Sequence, residues 1–112
     1  MTELDNWKIQ IRKGYLDLCI LALIQKHRQL YGFDLLDKLK DVGIEIKEGT
    51  LYPLLSRMSR DEVLKTHWRT EDNKGHPRKF YALTTSGAVY LEKMIEEFRS
   101  MVGLFESIGD RK

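Results

Sequence analysis

Cysteine is nearly missing from this chain. Cys19 stands alone, which excludes an intramolecular disulfide and fits a reducing compartment. Long hydrophobic runs are missing too: the longest, Leu18–Ile24, falls far short of the roughly 20 residues that a membrane-spanning helix needs. Met1–Trp7 is mixed polar and acidic, unlike a secretory leader, so a cytoplasmic protein without a membrane partner is expected. Charge of one sign is scarce, with a formal net charge of +2, and the total names no partner. His67 and His76 have no second ligand at metal spacing and read as surface histidines. No nucleophile–base–acid set is visible and the glycines form no phosphate-cradling loop. The expectation is therefore no enzyme, no metal and no cofactor.

What is present is ordered. With 112 residues, 42% hydrophobic and 32% charged, the chain has the make-up of a soluble globular protein with one modest core. Its charge is unevenly spread. Lys8–Arg28 holds five basic residues against Asp17, and Ile44–Ala82 holds eight against six acids. Leu83–Asp110 sets Lys93 and Arg99 against five acids. A basic front and middle with an acidic tail suits an anionic partner for one part of the molecule.

The periodicities follow one another cleanly. Met1–Lys13 carries a weak helical stripe, Leu4, Trp7 and Ile11, and reads equally as a helical arm or a frayed tail. Gly14–Lys26 is a helix apolar nearly all round, hence central. Leu30–Phe33 reads as a turn, and Phe33–Val42 as a second helix with Leu35, Leu36, Leu39 and Val42 inward and Gly43 as its stop. A third helix, Lys47–Arg60, has Leu51, Leu54, Leu55 and Met58 at the i, i+3, i+4, i+7 spacing. If Thr50 caps it, Pro53 sits where its missing N–H costs nothing. The other face offers Thr50, Tyr52, Ser56, Arg57 and Arg60. Those groups suit phosphate oxygens and guanine edges, although an ordinary surface helix packed by its leucines shows the same pattern.

Beyond Glu62 the period drops to two. Leu64–Thr70 and Arg78–Thr84 read as strands joined by the polar loop Glu71–Pro77, with Lys74, Arg78 and Lys79 near the tip. Thr85 is a plausible cap for a last helix, Ser86 to about Ile108. Its stripe, Leu91, Met94, Phe98, Met101, Phe105 and Ile108, has heptad spacing. A helix about 33 Å long at the chain's end cannot bury that stripe on its own subunit, which points to a homodimer; the alternative folds it back across its own core.

Three helices, a hairpin and a long closing helix make an α+β, mainly α, winged helix-turn-helix. The expected division is 1–84 for DNA binding, with residues 1–13 as an arm, and 85–112 for dimerisation.

Several segments also resemble the PadR family of bacterial transcriptional regulators. They are Gly14-Tyr15-Leu16-Asp17-Leu18, Leu30-Tyr31-Gly32-Phe33-Asp34-Leu35, Glu48-Gly49-Thr50-Leu51-Tyr52-Pro53-Leu54-Leu55, Pro77–Thr84 and Gly87. The length matches the short branch of that family. The resemblance implies a homodimeric repressor on an inverted-repeat operator, often with ATGT and ACAT half-sites, its recognition helix in the major groove and its wings on neighbouring phosphate or minor groove. By position it implies that Gly49, Thr50 and Tyr52 meet DNA and Tyr31 a phosphate.

The residues themselves add Lys47 and Arg57 as charge beside them, and Lys74, Arg78 and Lys79 as the wing contact. Lys47 departs from the family, where a small hydroxyl residue often caps this helix. Tyr52 reads as exposed because the leucines already fill the inward stripe; Arg78 and Lys79 read equally as a solvated tip. Some short relatives bind flat aromatic drugs between their closing helices, against a tryptophan. The matching position is Phe98, a candidate effector contact whose simpler reading is core packing. A protein-interaction module without DNA binding and a small-molecule carrier are the competing functions.

Overall fold

The first helix begins far earlier than its apolar density suggests. In a computed structural model, which describes residues 1–70 and 75–109, α1 spans Glu3–His27 without a break. A capping box opens it: the Thr2 hydroxyl accepts from the Asp5 N–H at 3.1 Å, and the Asp5 carboxylate accepts from the Thr2 N–H at 3.1 Å. The same backbone and side-chain bonds hold the Asp5 carboxyl below its ordinary value of 3.8. Residues 3–13 are thus helical rather than frayed, and the arm runs unbroken into the core helix: the start expected at Gly14 lies inside one 25-residue rod.

Leu16, Ile20, Leu21 and Ile24 on α1 form the spine of the core. Against them pack Leu35 and Leu39 of α2 (Gly32–Asp41) and Leu51, Leu55 and Met58 of α3 (Glu48–Arg60). Each fully covered side chain contributes about 1.5–3 kcal/mol. Gly43, at φ +94°, ends α2: its N–H reaches the Lys40 carbonyl at 2.9 Å and the Ile44 N–H the Leu39 carbonyl at 2.8 Å, a Schellman closure. Val42 was expected inward, but it lies one residue past the helix and is 61% exposed.

The start of α3 also differs from expectation. Lys47 occupies the cap position without a side-chain bond, and its carbonyl accepts from Thr50 and Leu51 N–H at 2.9 and 3.1 Å. Thr50 is therefore inside the first turn rather than its cap. Pro53 falls deeper in the helix than reasoned, where it does forfeit an i→i−4 bond, to the Gly49 carbonyl.

The hairpin is part of a three-stranded antiparallel sheet ordered β1-β3-β2, from β1 (Leu30–Tyr31), β2 (Leu64–Arg69) and β3 (Arg78–Leu83). Leu30-Tyr31, read as a turn, pairs with Tyr81 and Phe80. One rung runs Tyr31–Phe80–His67 across all three strands, and the next runs Leu30–Tyr81–Thr66. Sheet, helix pair and closing helix α4 (Thr85–Gly109) make a winged helix-turn-helix.

Thr84, not Thr85, caps α4, accepting from the Gly87 N–H at 2.8 Å. Its hydroxyl donates to the Glu62 carbonyl at 2.6 Å, and its N–H to the Val63 carbonyl at 3.1 Å. This staples the helix onto the turn before β2.

The ends of α1 and α4 project. Extents are 58 × 35 × 24 Å with a radius of gyration of 16.3 Å, against about 13 Å for a compact chain of this length. The accessible surface of 8436 Å² likewise exceeds the roughly 6,400 Å² typical of a monomer of this mass. No helix among the described residues is long and apolar enough to cross a membrane.

Candidate nucleic-acid interface

Burying Leu51, Leu55 and Met58 turns the opposite side of α3 outward, and Lys47, Gly49 and Thr50 are exposed at its start. Tyr52 is half-buried instead of free. Its ring lies over Gly32, where a Cβ would come within 2.6 Å of Cζ and overlap the hydroxyl oxygen. A side chain on α2 would evict the ring, so the glycine makes the seat. Burial, and then the negative charge of Glu48, push the Tyr52 phenol up; burial, and then Tyr52, do the same to Tyr81. Both phenols stay protonated and able to donate.

Beside this ring opens a cavity of about 610 Å³ lined by Tyr31, Phe33, Tyr52, Ser56, Trp68, Arg78, Lys79 and Tyr81, with Gly32 at its base. The wing supplies its cations. The Arg78 guanidinium carbon lies 4.8 Å from the Tyr31 ring centroid, and the Lys79 ammonium 5.8 Å from that of Tyr81. Such contacts contribute about 0.5–1 kcal/mol at exposed sites and restrict where the charges point.

On the sheet face that Tyr31 and Arg78 share, Phe80 is buried: Tyr31 packs at 5.5 Å, His67 stacks at 5.8 Å, and Arg69 lies over the ring at 5.4 Å. His67 is thereby a packing residue. No group of three or more metal-ligating side chains occurs among the described residues. Lys74, expected at the wing tip, lies outside the described residues.

Arg57 sits on the far flank of α3. Its guanidinium donates to the Asp17 carboxylate at 2.8 Å, which raises its pKa, and so fastens α3 to α1. Sequence reasoning assigned Arg57 to the DNA face and gave Asp17 no role. Of the residues expected at the site, Tyr31, Tyr52, Arg78 and Lys79 gather round one cavity, while Lys47, Gly49 and Thr50 lie exposed at the start of α3, Thr50 on the flank that faces α1. Exposed Trp68 and Phe33 join that group unanticipated.

The stripe on α4 divides. Leu91 is wholly buried within its own chain and Met94 half-buried, while Phe98 packs on Tyr15 at 5.7 Å. Met101, Phe105 and Ile108 are open. Between α1 and α4 lies a mainly apolar groove of about 520 Å³, lined by Ile11, Tyr15, Leu18, Tyr90, Met94, Phe98 and Met101 among others.

Residues 20–93 match the family described as the transcriptional regulator PadR-like family. Among solved structures, a PadR-like transcription factor from Bacteroides fragilis is 38% identical, with a TM-score of 0.77 over 92% of this chain and 98% of that one. A PadR family transcriptional regulator from Eggerthella lenta is 26% identical with a TM-score of 0.82, covering 97% and 94%. An uncharacterised protein of Lysinibacillus sphaericus is 30% identical over 101 residues, 85% of this chain and 91% of its own length.

Proposed function

This chain belongs to the PadR-like family of transcriptional regulators, and from that premise we propose a cytoplasmic homodimeric repressor that binds an inverted-repeat operator and is released by a small aromatic effector. It is not an enzyme, since its family is one of regulators. The observation that carries the reading is the exposed start of α3, Lys47, Gly49 and Thr50, beside a wing whose Arg78 and Lys79 surround the same cavity as Tyr52. A helix of that kind fits the major groove, with wing cations on adjacent phosphates.

Dimerisation is supported by the surplus of roughly 2,000 Å² over a compact monomer and by the open side chains Trp7, Met101, Phe105 and Ile108 on the projecting helices. Two such surfaces joined would reach the size class of permanent homodimers. The groove at Phe98 is the effector site of this proposal, because its apolar walls and the Tyr15 and Phe98 rings suit a planar ligand.

Fluorescence anisotropy tests the reading, using DNA from upstream of the protein's own gene against a scrambled duplex at two salt concentrations. Tighter binding to the native duplex that weakens with salt is expected. Equal, weak binding to both by an intact dimer would refute it for that operator.

A further inference from the structure

We propose that Arg12 and Lys13 of α1 form a second phosphate-gripping flank of the DNA surface, on the side of α3 opposite the wing. The proposal rests on the DNA-binding reading above and extends it to a part of the chain that neither motif nor wing accounts for.

A groove of about 380 Å³ runs between the two helices, with Arg12 and Lys13 on the α1 side and Thr50, Leu54 and Arg57 on the α3 side. Thr50 is exposed at the start of α3, so the α1 cations stand beside the very turn assigned to the major groove. Asp17 neutralises Arg57 at 2.8 Å. Arg12 and Lys13 have no ion-pair partner among the described residues and both are exposed. Lys8 lies one helical turn before Arg12, a like-charge i,i+4 spacing that costs an isolated helix a few tenths of a kcal/mol. With Arg57 already paired to Asp17, the crowded charges of Lys8, Arg12 and Lys13 are relieved by an anion arriving from outside.

The two sides of α1 divide the labour. Ile11, Tyr15 and Leu18 face the groove on α4, whereas Arg12 and Lys13 face α3. A second subunit seated along α4 therefore leaves the cations uncovered. An α-helix with its side chains is about 10–12 Å across, the width of the major groove, whose walls are two phosphate strands. With α3 in the groove, Arg78 and Lys79 meet one wall and Arg12 and Lys13 the other.

The test is the salt dependence of binding to a mixed-sequence duplex and to the upstream duplex, for wild type, R12Q/K13Q, R12K/K13R and K79Q, with melting curves to confirm folding. Glutamine is nearly as good a helix former as the residues it replaces. R12Q/K13Q is expected to flatten the slope of log K against log salt by about 0.9 per lost contact, and to weaken both duplexes about tenfold or more at low salt. The ratio between the duplexes stays unchanged, and R12K/K13R retains the wild-type slope. If R12Q/K13Q keeps the wild-type slope while K79Q flattens it, the α1 flank is wrong and the wing reading stands. Weak, salt-insensitive binding by wild type itself would overturn both.

Discussion

Gly87 and Gly103 lie on the same helix in opposite circumstances, so one substitution made at both measures the seam between α4 and the wing. At Gly87 a Cβ would overlap the Val63 carbonyl oxygen and stand 2.9 Å from its carbon and 3.0 Å from Thr84 Oγ1. Carbon pairs rest at about 3.5–4.0 Å and the overlap with the oxygen is deeper still, so the helix start must retreat by roughly 1 Å or more. That movement carries the 3.1 Å bond from Thr84 N–H to Val63 out of range and strains the hydroxyl bond to Glu62. Overpacking of about 1–3 kcal/mol and up to two hydrogen bonds near 1 kcal/mol each oppose a gain of about 1 kcal/mol in helix propensity. With both bonds lost, Gly87→Ala should therefore destabilise by about 2–4 kcal/mol.

At Gly103 nothing lies within 4 Å, and Gly103→Ala should stabilise by about 0.5–1 kcal/mol. Urea unfolding followed by circular dichroism, at one protein concentration because assembly shifts the midpoint, reads both. A Gly87→Ala midpoint equal to or above wild type would refute the seam as described.

Three further outcomes are expected. Tyr52→Ala should weaken the operator more than scrambled DNA, while Lys79→Ala weakens both alike; equal losses for Tyr52→Ala in competitive anisotropy would remove base readout from that helix. Phe105→Glu, placing a charge on the open stripe of α4, should halve the mass seen by sedimentation at micromolar concentration, and an unchanged dimer would place the interface elsewhere. Asp17→Asn should cost about 1 kcal/mol in urea unfolding, a modest figure because the Arg57 side chain is 42% exposed; no loss would mean the pair does not hold α3 to α1.

What could be read in the sequence was what repeats. The stripes of α3 and α4 and the alternation of β2 and β3 were legible because several residues report each period. β1 was not, because two residues carry no period and Tyr31-Gly32 resembles a turn. The front of α1 was obscure because its stripe, Leu4, Trp7 and Ile11, has no cover in the chain itself. Caps misled at Thr50 and Thr85, since a threonine caps only where the backbone leaves the helix, and neighbouring hydroxyls look alike in sequence.

At the site, the exposed start of α3 and the basic wing were legible as charge and hydroxyl patterns. The seat of Tyr52 was not, for it depends on the bare backbone of Gly32 in another helix. The tie of Arg57 to α1 was illegible for the same reason: its partner, Asp17, lies 40 positions away.

Between the last wing residue, Leu83, and the first turn of α4 stands only Thr84, bonded on both sides. A chain with a slack tether there would let each head swivel and serve operators of many spacings. This joint has no slack, so the wing's bearing is set by the angle at which the closing helix leaves it. A helix of 25 residues is about 37 Å long, and a 5° tilt at Thr84 moves its far end by about 3 Å. That is close to the rise of one base pair, about 3.4 Å. In the homodimer proposed above the joint would act as a protractor: the crossing of the two closing helices would dictate the separation of half-sites, and an inserted residue after Thr84 would rotate the wing relative to its helix by about 100°.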